Sequence, residues 1–219
     1  MKAKKTKSKS TTKSNPKTNT KSNPKPNTKT RNRTKSKPKT PKQMEGKQIP
    51  NITLDTRVRN SKLKGNNPFK WEKVQTKDLF KNKKIVLFSL PGAYTPTCSN
   101  SHLPDYDKKY NQLINRDIDD VYCLSVNDAF VMYNWGKQLN INNVKLLPDG
   151  NALFTKKMGA LVKKNNLGFG DRSWRYSMLV DDGKIIKVFS EPGYSNNCSS
   201  DPFEVSDVDN MLKYLSSNN

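Results

Sequence analysis

The stretch Lys84-Ile-Val-Leu-Phe-Ser-Leu90, followed at once by Pro91-Gly92, decides the fold. Its unbroken apolar run is typical of a strand buried on both faces in the middle of a sheet, and the Pro-Gly pair ends that strand. Beyond the turn, apolar residues recur at helical spacing. This spacing predicts a helix from near Cys98 to about Asn115, with a kink at Pro104.

The next segments extend this unit into an α/β domain. Val121-Tyr-Cys-Leu-Ser-Val126 predicts a second buried strand and residues 129–139 a second helix, so that the two strands form a parallel βαβ unit. Further on, Asp181-Asp182-Gly183 predicts a tight hairpin between strands at residues 172–180 and 184–190.

The carboxyl-terminal end predicts a closing helix. Ser206 precedes an apolar stripe at Val208, Met211, Leu212 and Leu215, so we predict that Ser206 is the N-cap of that helix. A parallel half followed by an antiparallel hairpin and a last helix is the order of elements in a thioredoxin-like fold. The sequence therefore predicts an α/β protein with a central mixed sheet flanked by helices.

Positive charge is concentrated at the amino-terminal end. Of the 41 Lys and Arg residues, sixteen lie in residues 1–42, which contain no Asp or Glu and contribute +16 of the formal net charge of +22. With Met1 and Ala3 as their only apolar side chains, residues 1–42 cannot form a core. We predict a disordered, low-complexity basic tail at 1–42 and one domain at 43–219.

The tail suggests two classes of role. A mobile arm with this charge should contact polyanions through salt-sensitive, sequence-independent interactions, and it has no aromatic side chain for stacking on bases. Alternatively, it adds solubility or supplies a nuclear-import-like patch at residues 31–42. The tail lacks the apolar stretch of a secretory signal and no run in the chain suits a membrane span, so we expect a cytoplasmic protein.

The three cysteines, at 98, 123 and 198, contain no CxxC pair and have only His102 as a nitrogen partner. This set predicts no disulfide framework, no zinc site and no cofactor, and it is typical of a reducing compartment. Cys98 stands out because the free N–H groups at the start of the predicted helix would favour its thiolate. From position alone, Cys98 is either an inert helix-cap residue or a reactive thiol.

A specific resemblance favours the reactive thiol. Pro91-Gly-Ala-Tyr-Thr-Pro-Thr-Cys-Ser99 with His102-Leu-Pro104 resembles the active-site loop of the peroxiredoxins, in the type-five group that includes the plant type II enzymes. The stretches Cys123-Leu-Ser-Val-Asn-Asp128, Arg172-Ser-Trp-Arg-Tyr-Ser177 and Asp201-Pro-Phe-Glu-Val-Ser206 resemble the same group in the same order. The resemblance covers roughly residues 49–215 and leaves the tail out.

The resemblance implies a thiol peroxidase that reduces hydrogen peroxide and alkyl hydroperoxides. The alternative is a polyanion- or nucleic-acid-binding protein whose basic tail is the main functional element and whose redox domain is secondary. Cys98 would be the peroxidatic cysteine, which is oxidised to a sulfenic acid as the O–O bond breaks. Thr95 would align the peroxide, and Arg175 would stabilise the thiolate and the oxygens of the transition state. Pro91 would shield the sulfenic acid from solvent.

Some of these residues also have simpler roles. Thr95 can merely shape the turn, and Arg172 and Arg175 can be surface cations; strand alternation puts Arg175 on the face of Ser173 and Ser177. For His102 we expect a structural role beside the thiolate, because a cysteine protease usually brings its histidine from a distant segment.

The resemblance also implies a reductant and a dimer. The sulfenic acid would be reduced by thioredoxin, glutaredoxin or glutathione, and the chain would form a homodimer through its active-site face. Cys198, in a loop rich in turn formers at residues 192–200, is our candidate resolving cysteine, whereas Cys123 lies in the middle of a strand predicted to be buried. Members of the group use a cysteine in this loop, the one that matches Cys123, or none.

Overall fold

A five-stranded mixed sheet forms the centre of the protein. The structure is a computed structural model and describes residues 40–60, 62–65 and 68–218. The strands are β1 (Thr53–Arg59), β2 (Phe69–Gln75), β3 (Lys84–Leu90), β4 (Asp120–Ser125), β5 (Lys145–Pro148), β6 (Leu161–Lys163), β7 (Asp171–Ser173), β8 (Tyr176–Asp181) and β9 (Lys184–Ser190). The α-helices are α1 (Thr76–Phe80), α2 (Leu103–Lys108), α3 (Tyr110–Ile114), α4 (Ala129–Gln138), α5 (Leu153–Lys157) and α6 (Val208–Ser217).

The strand order confirms the predicted thioredoxin-like fold. The central sheet runs β5-β4-β3-β8-β9, with β3 parallel to β4 and antiparallel to β8. As the apolar run at 84–90 predicted, β3 is buried on both faces: Ile85 and Leu87 belong to one core cluster, and Val86, Phe88 and Leu90 to the other. The pairs β1–β2 and β6–β7 form two smaller antiparallel sheets.

The helix that follows the first turn is irregular. A π-helical turn, Cys98–His102, precedes α2, and α2 ends at Lys108 before α3 begins at Tyr110. The predicted kink at Pro104 therefore takes the form of a π turn just before this residue. Because Pro104 has no N–H to donate, it cannot continue a regular α-helical hydrogen-bond pattern back into that turn.

Two predictions about the second half of the chain are wrong in detail. The strand predicted at 172–180 is two strands, β7 and β8, separated at Trp174 and Arg175. The reason is that Trp174 leaves the strand to donate its indole N–H to the carbonyl of Glu191, while its own backbone N–H bonds the carbonyl of Ala160. After this break Ser173 and Arg175 have different partners: the Ser173 hydroxyl accepts from Ser89 and Ser173 pairs with Leu161 of β6, whereas the Arg175 side chain contacts Cys98.

The N-cap of α6 is Asp207, one residue later than the predicted Ser206. The Asp207 carboxylate accepts from the N–H of Asn210, which is the usual capping geometry. The Ser206 hydroxyl is directed at Glu191, to which it donates. The predicted hairpin is confirmed: Asp182 and Gly183 join β8 to β9 with positive φ angles of 42° and 76°, as a type I′ turn requires.

At its amino-terminal end the described chain begins with a short turn. Residues 1–39 of the predicted tail lie outside the described residues. A 3-10 turn, Pro41–Met44, follows, and its two end residues are buried. Within the described residues, every helix is too short or too polar to cross a bilayer.

Candidate active site

Side chains at the end of β4 hold the turn that follows β3. The Oδ1 atom of Asn127 accepts the backbone N–H of Ala93 at 3.0 Å and the hydroxyl of Ser125 at 2.8 Å. Within the turn, Tyr94 has a φ of 63°, a backbone conformation that is uncommon for residues other than glycine. The side chains at the end of β4 therefore stabilise a turn whose backbone conformation at Tyr94 has a free-energy cost.

Thr95 in this turn is arranged as a hydrogen-bond acceptor. Its hydroxyl donates to the carbonyl of Gly92 at 2.8 Å, so the single hydroxyl proton is already in use. Its oxygen lone pairs remain to accept a hydrogen bond from a peroxide O–H. The Thr95 carbonyl also accepts from Ser99, which connects the turn to the helical segment.

Cys98 is the first residue of the π-helical turn and is fully buried. The N–H of Leu103 reaches back five residues to the Cys98 carbonyl, the hydrogen bond that defines a π turn. Such turns are rare and are frequent at functional sites. The Cys98 sulfur receives a hydrogen bond from Nη1 of Arg175 at 3.5 Å, so the structure brings these two predicted residues together.

Arg175, which is 1% exposed, uses all three of its guanidinium nitrogens. Nη1 contacts Cys98 and the Nδ1 atom of His102 at 3.2 Å, Nε donates to the carbonyl of Pro202 at 3.0 Å, and Nη2 forms an ion pair with Asp201 at 2.5 Å. A planar guanidinium group with partners at all three nitrogens has a fixed orientation. Arg175 is therefore not a surface cation.

Opposing effects act on the pKa of Arg175. Burial lowers it, but the negative charges of the Cys98 thiolate and the Asp201 carboxylate outweigh burial and raise it above its ordinary value. The guanidinium is thus a permanent positive charge next to the sulfur. In a site from which water is excluded, such a charge acts more strongly than it would in solvent.

His102 is neutral, and its partners determine which of its nitrogens carries the proton. Burial lowers its pKa well below the usual range, the charge of Arg175 lowers it further, and the Ser206 carbonyl acts in the opposite direction. That carbonyl lies 3.2 Å from Nε2 and can only accept, so Nε2 carries the proton. Nδ1 is then an acceptor for Arg175, which gives His102 the structural role beside the thiolate that the sequence predicted.

The other two cysteines lie in different environments. Cys123 is fully buried in β4, where burial raises the pKa of its thiol well above the ordinary value and the Cys98 thiolate adds to the rise. Cys198 is partly exposed; a hydrogen bond with Ser200, 3.3 Å away, lowers the pKa of its thiol, and the charge of Lys164 contributes in the same direction. The side chain of Cys198 packs against the core cluster that contains Ile85, whereas Cys98 belongs to the other cluster.

The sequence alone did not identify the partners that hold Arg175. Asp201 and Pro202 lie in the stretch quoted above for its resemblance, but nothing in their residue types assigned them to an arginine 26 and 27 positions earlier. The signal was an acidic residue next to a proline in a loop, which is too common to be diagnostic.

Comparisons with known proteins are consistent with this geometry. A family model described as Redoxin matches residues 44–212. The peroxiredoxin sll1621 of Synechocystis sp. is 57% identical over 172 residues, which cover 78% of this chain and 91% of the relative.

Solved structures give the same result. The antioxidant protein of Plasmodium falciparum, described as a 1-Cys peroxiredoxin, is 38% identical with a TM-score of 0.74, over 80% of this chain and all of that one. Reduced Prx3 of Vibrio vulnificus, solved in complex with hydrogen peroxide, is 36% identical with a TM-score of 0.67, over 78% of this chain and 98% of that one.

Proposed function

The chain belongs to the Redoxin family as a peroxiredoxin and is a thiol peroxidase, and from this premise we propose that Cys98 is the thiol that attacks the peroxide. The observation that carries the proposal is the contact between the buried Cys98 sulfur and Nη1 of Arg175. Hydrogen peroxide and alkyl hydroperoxides are the proposed substrates; one similar structure was solved with hydrogen peroxide bound.

In the proposed reaction, the Cys98 thiolate attacks one peroxide oxygen while the O–O bond breaks. A sulfur–oxygen bond forms, Cys98 is oxidised by two electrons to a sulfenic acid, and the leaving oxygen takes up a proton and departs as water or an alcohol. Arg175 stabilises the thiolate and the negative charge that develops on the leaving oxygen. Thr95 accepts a hydrogen bond from the peroxide and so aligns it.

Pro91 has a protective role in this proposal. It is buried at the end of β3, beside Arg175 and Asp201, where it lines a small cavity. A buried ring at this position limits access of solvent to the sulfenic acid, and with it the approach of a second peroxide, the oxidant that would convert the sulfenic acid to a sulfinic acid.

External thiols complete the cycle. A first thiol attacks the sulfenic sulfur and water leaves, and a second thiol reduces the resulting disulfide and returns Cys98. Thioredoxin, glutaredoxin and glutathione are the proposed donors, which implies a reducing compartment such as the cytoplasm. An internal route through Cys198 is proposed as well, supported by its partial exposure and by the lowered pKa of its thiol.

Peroxide consumption by purified variants tests the proposed site. Cys98→Ser should abolish turnover with every thiol donor, whereas Cys123→Ser, which removes a buried thiol from the same core cluster, should retain it. Arg175→Lys should lower kcat/KM by roughly 10²–10³-fold, because an ammonium cannot reach the same partners. Turnover that persists in Cys98→Ser would remove the proposal.

Two further parts of the proposal concern assembly and the basic tail. Contact with polyanions through residues 1–42 is supported by their sixteen positive charges alone. A homodimer through the active-site face, which the resemblance implies, stays a prediction; the half-exposed Tyr94 on the active-site turn is compatible with it.

A further inference from the structure

One buried carboxylate near the site has no role in the reaction described above. Glu191 follows β9 and is 2% exposed. Its Oε1 atom accepts the N–H of Val205 at 3.0 Å and both the N–H and the hydroxyl of Ser206 at 2.8 and 2.7 Å, and Oε2 accepts the N–H of Glu204 at 2.9 Å. Within the described residues no lysine or arginine pairs with it, so these four donors alone compensate its buried charge.

The segment that Glu191 holds is the one that orients His102. The carbonyl of Ser206 accepts from Nε2 of His102 at 3.2 Å and from the hydroxyl of Tyr106 at 3.1 Å. If this carbonyl moved away, Nε2 would lose its acceptor and the proton could reside on Nδ1 instead. A protonated Nδ1 would then oppose a donor of Arg175.

Glu191 also contacts the main chain of the arginine segment. Its N–H donates to the carbonyl of Arg175 at 3.1 Å, and its carbonyl accepts the indole N–H of Trp174 at 2.9 Å. Glu191 thus joins the backbone of Arg175 to residues 204–206. This segment orients His102, which is a partner of the Arg175 side chain. The carboxylate of Glu191 holds residues 204–206, and the main chain of the same residue is bonded to Arg175 and Trp174.

We propose that Glu191 is a positioning residue of the peroxidase site: by holding residues 204–206 it fixes the Ser206 carbonyl and, through His102, directs Nη1 of Arg175 at the Cys98 sulfur. This inference rests on the proposed function. Glu191 touches neither the substrate nor the sulfur. The charged and titratable groups that the Arg175 side chain contacts are Cys98, His102 and Asp201, and its charge also acts on the buried Cys123.

Glu191→Gln tests the proposal, because the amide keeps the size of the side chain and replaces an acceptor with donors that oppose the N–H groups. We expect the rate constant for hydrogen peroxide to fall by about tenfold or more. The pH profile of Cys98 alkylation by iodoacetamide, read by mass spectrometry, should shift to higher pH. Glu204→Gln is the matched control: its side chain is exposed and only its backbone contacts Glu191, so both readouts should stay as in the wild type.

The outcomes separate the inference from the function on which it rests. A Glu191→Gln protein that is less stable but has the wild-type rate and pH profile would overturn the inference alone. Activity that survives in Cys98→Ser would overturn both. If Glu191→Gln does not fold, Ser206→Ala decides, because it removes only the hydroxyl donor. A smaller shift of the alkylation pH profile in the same direction supports the proposal, and the absence of any shift contradicts it.

Discussion

At the scale of single residues, the site depends on one guanidinium and one imidazole that are buried together. The same Nη1 atom of Arg175 contacts the Cys98 sulfur and Nδ1 of His102. A charged histidine would place a second cation against the arginine in a site shielded from solvent, so the low pKa of His102 is a condition for this arrangement. His102 therefore matters to the site as a neutral acceptor.

The neutral state of His102 predicts how stability depends on pH. The ordinary pKa of histidine is 6.5, and that of His102 is well below it when the protein is folded, so below pH 6.5 the unfolded chain binds a proton that the folded chain does not. The free energy of unfolding should therefore fall as the pH drops from 6.5 towards 5, by up to about 1.4 kcal/mol per pH unit.

Urea unfolding at several pH values measures this slope. His102 is the only histidine in the sequence, so His102→Gln, whose amide can still donate to Ser206, should lose the slope in this pH range. Equal slopes in the two proteins would contradict the assignment.

At the scale of elements, the loop that carries Cys198 is hydrogen-bonded to the last residue of β6 and to the segment after it. The N–H of Lys163 donates to the side chain of Asn196 at 2.8 Å, the N–H of Asn197 donates back to the carbonyl of Lys163 at 2.7 Å, and the side chain of Asn197 accepts from Asn165 at 2.9 Å. The turn-forming sequence of this loop predicted an accessible thiol. For Cys198 to move towards Cys98, the loop must break these hydrogen bonds.

Disulfide mapping of the oxidised protein tests the internal route. After one equivalent of hydrogen peroxide without a reductant, we expect a Cys98–Cys198 disulfide in the wild type and in Cys123→Ser. In Cys198→Ser the sulfenic acid should persist and be trapped by dimedone. An internal disulfide that still includes Cys98 in this last variant would show that Cys198 is not the resolving cysteine.

At the scale of the whole molecule, the charge is divided between two parts. Residues 1–42 carry +16, and residues 43–219 carry 25 basic against 19 acidic residues, or +6. The chemistry proposed for Cys98 involves only residues of the second part. The tail should therefore change what the enzyme contacts and leave its peroxidase activity unaltered.

Deletion of residues 1–39 tests this division, since it spares the buried Pro41 and Met44 and removes all of the tail's basic residues except Lys42. The full chain should elute from heparin at a higher salt concentration than the shortened chain, because counterion release scales with the number of charges. Peroxide turnover should be the same in both proteins. If both elute together, polyanion contact through the tail is wrong.

Much of the fold and part of the site could be read from the sequence, because the signals are local. The apolar run of β3, the Pro-Gly turn and the Asp-Gly hairpin each depend on residues within a few positions of one another. The same holds for Cys98 at the start of a helical segment. The break between β7 and β8 was not readable, because it depends on contacts of Trp174 with the distant Ala160 and Glu191.

By itself, the sequence determined the order of elements, the position of Cys98 and the division of charge, since backbone propensity and composition act over short stretches of chain. Only the tertiary structure decided what surrounds the sulfur. Arg175 lies 77 positions from Cys98, and the Ser206 carbonyl lies 104 positions from His102. Contacts at such separations leave no periodic trace in the sequence, and they arise because a buried charge or polar group must find a partner when the sheet brings distant segments together.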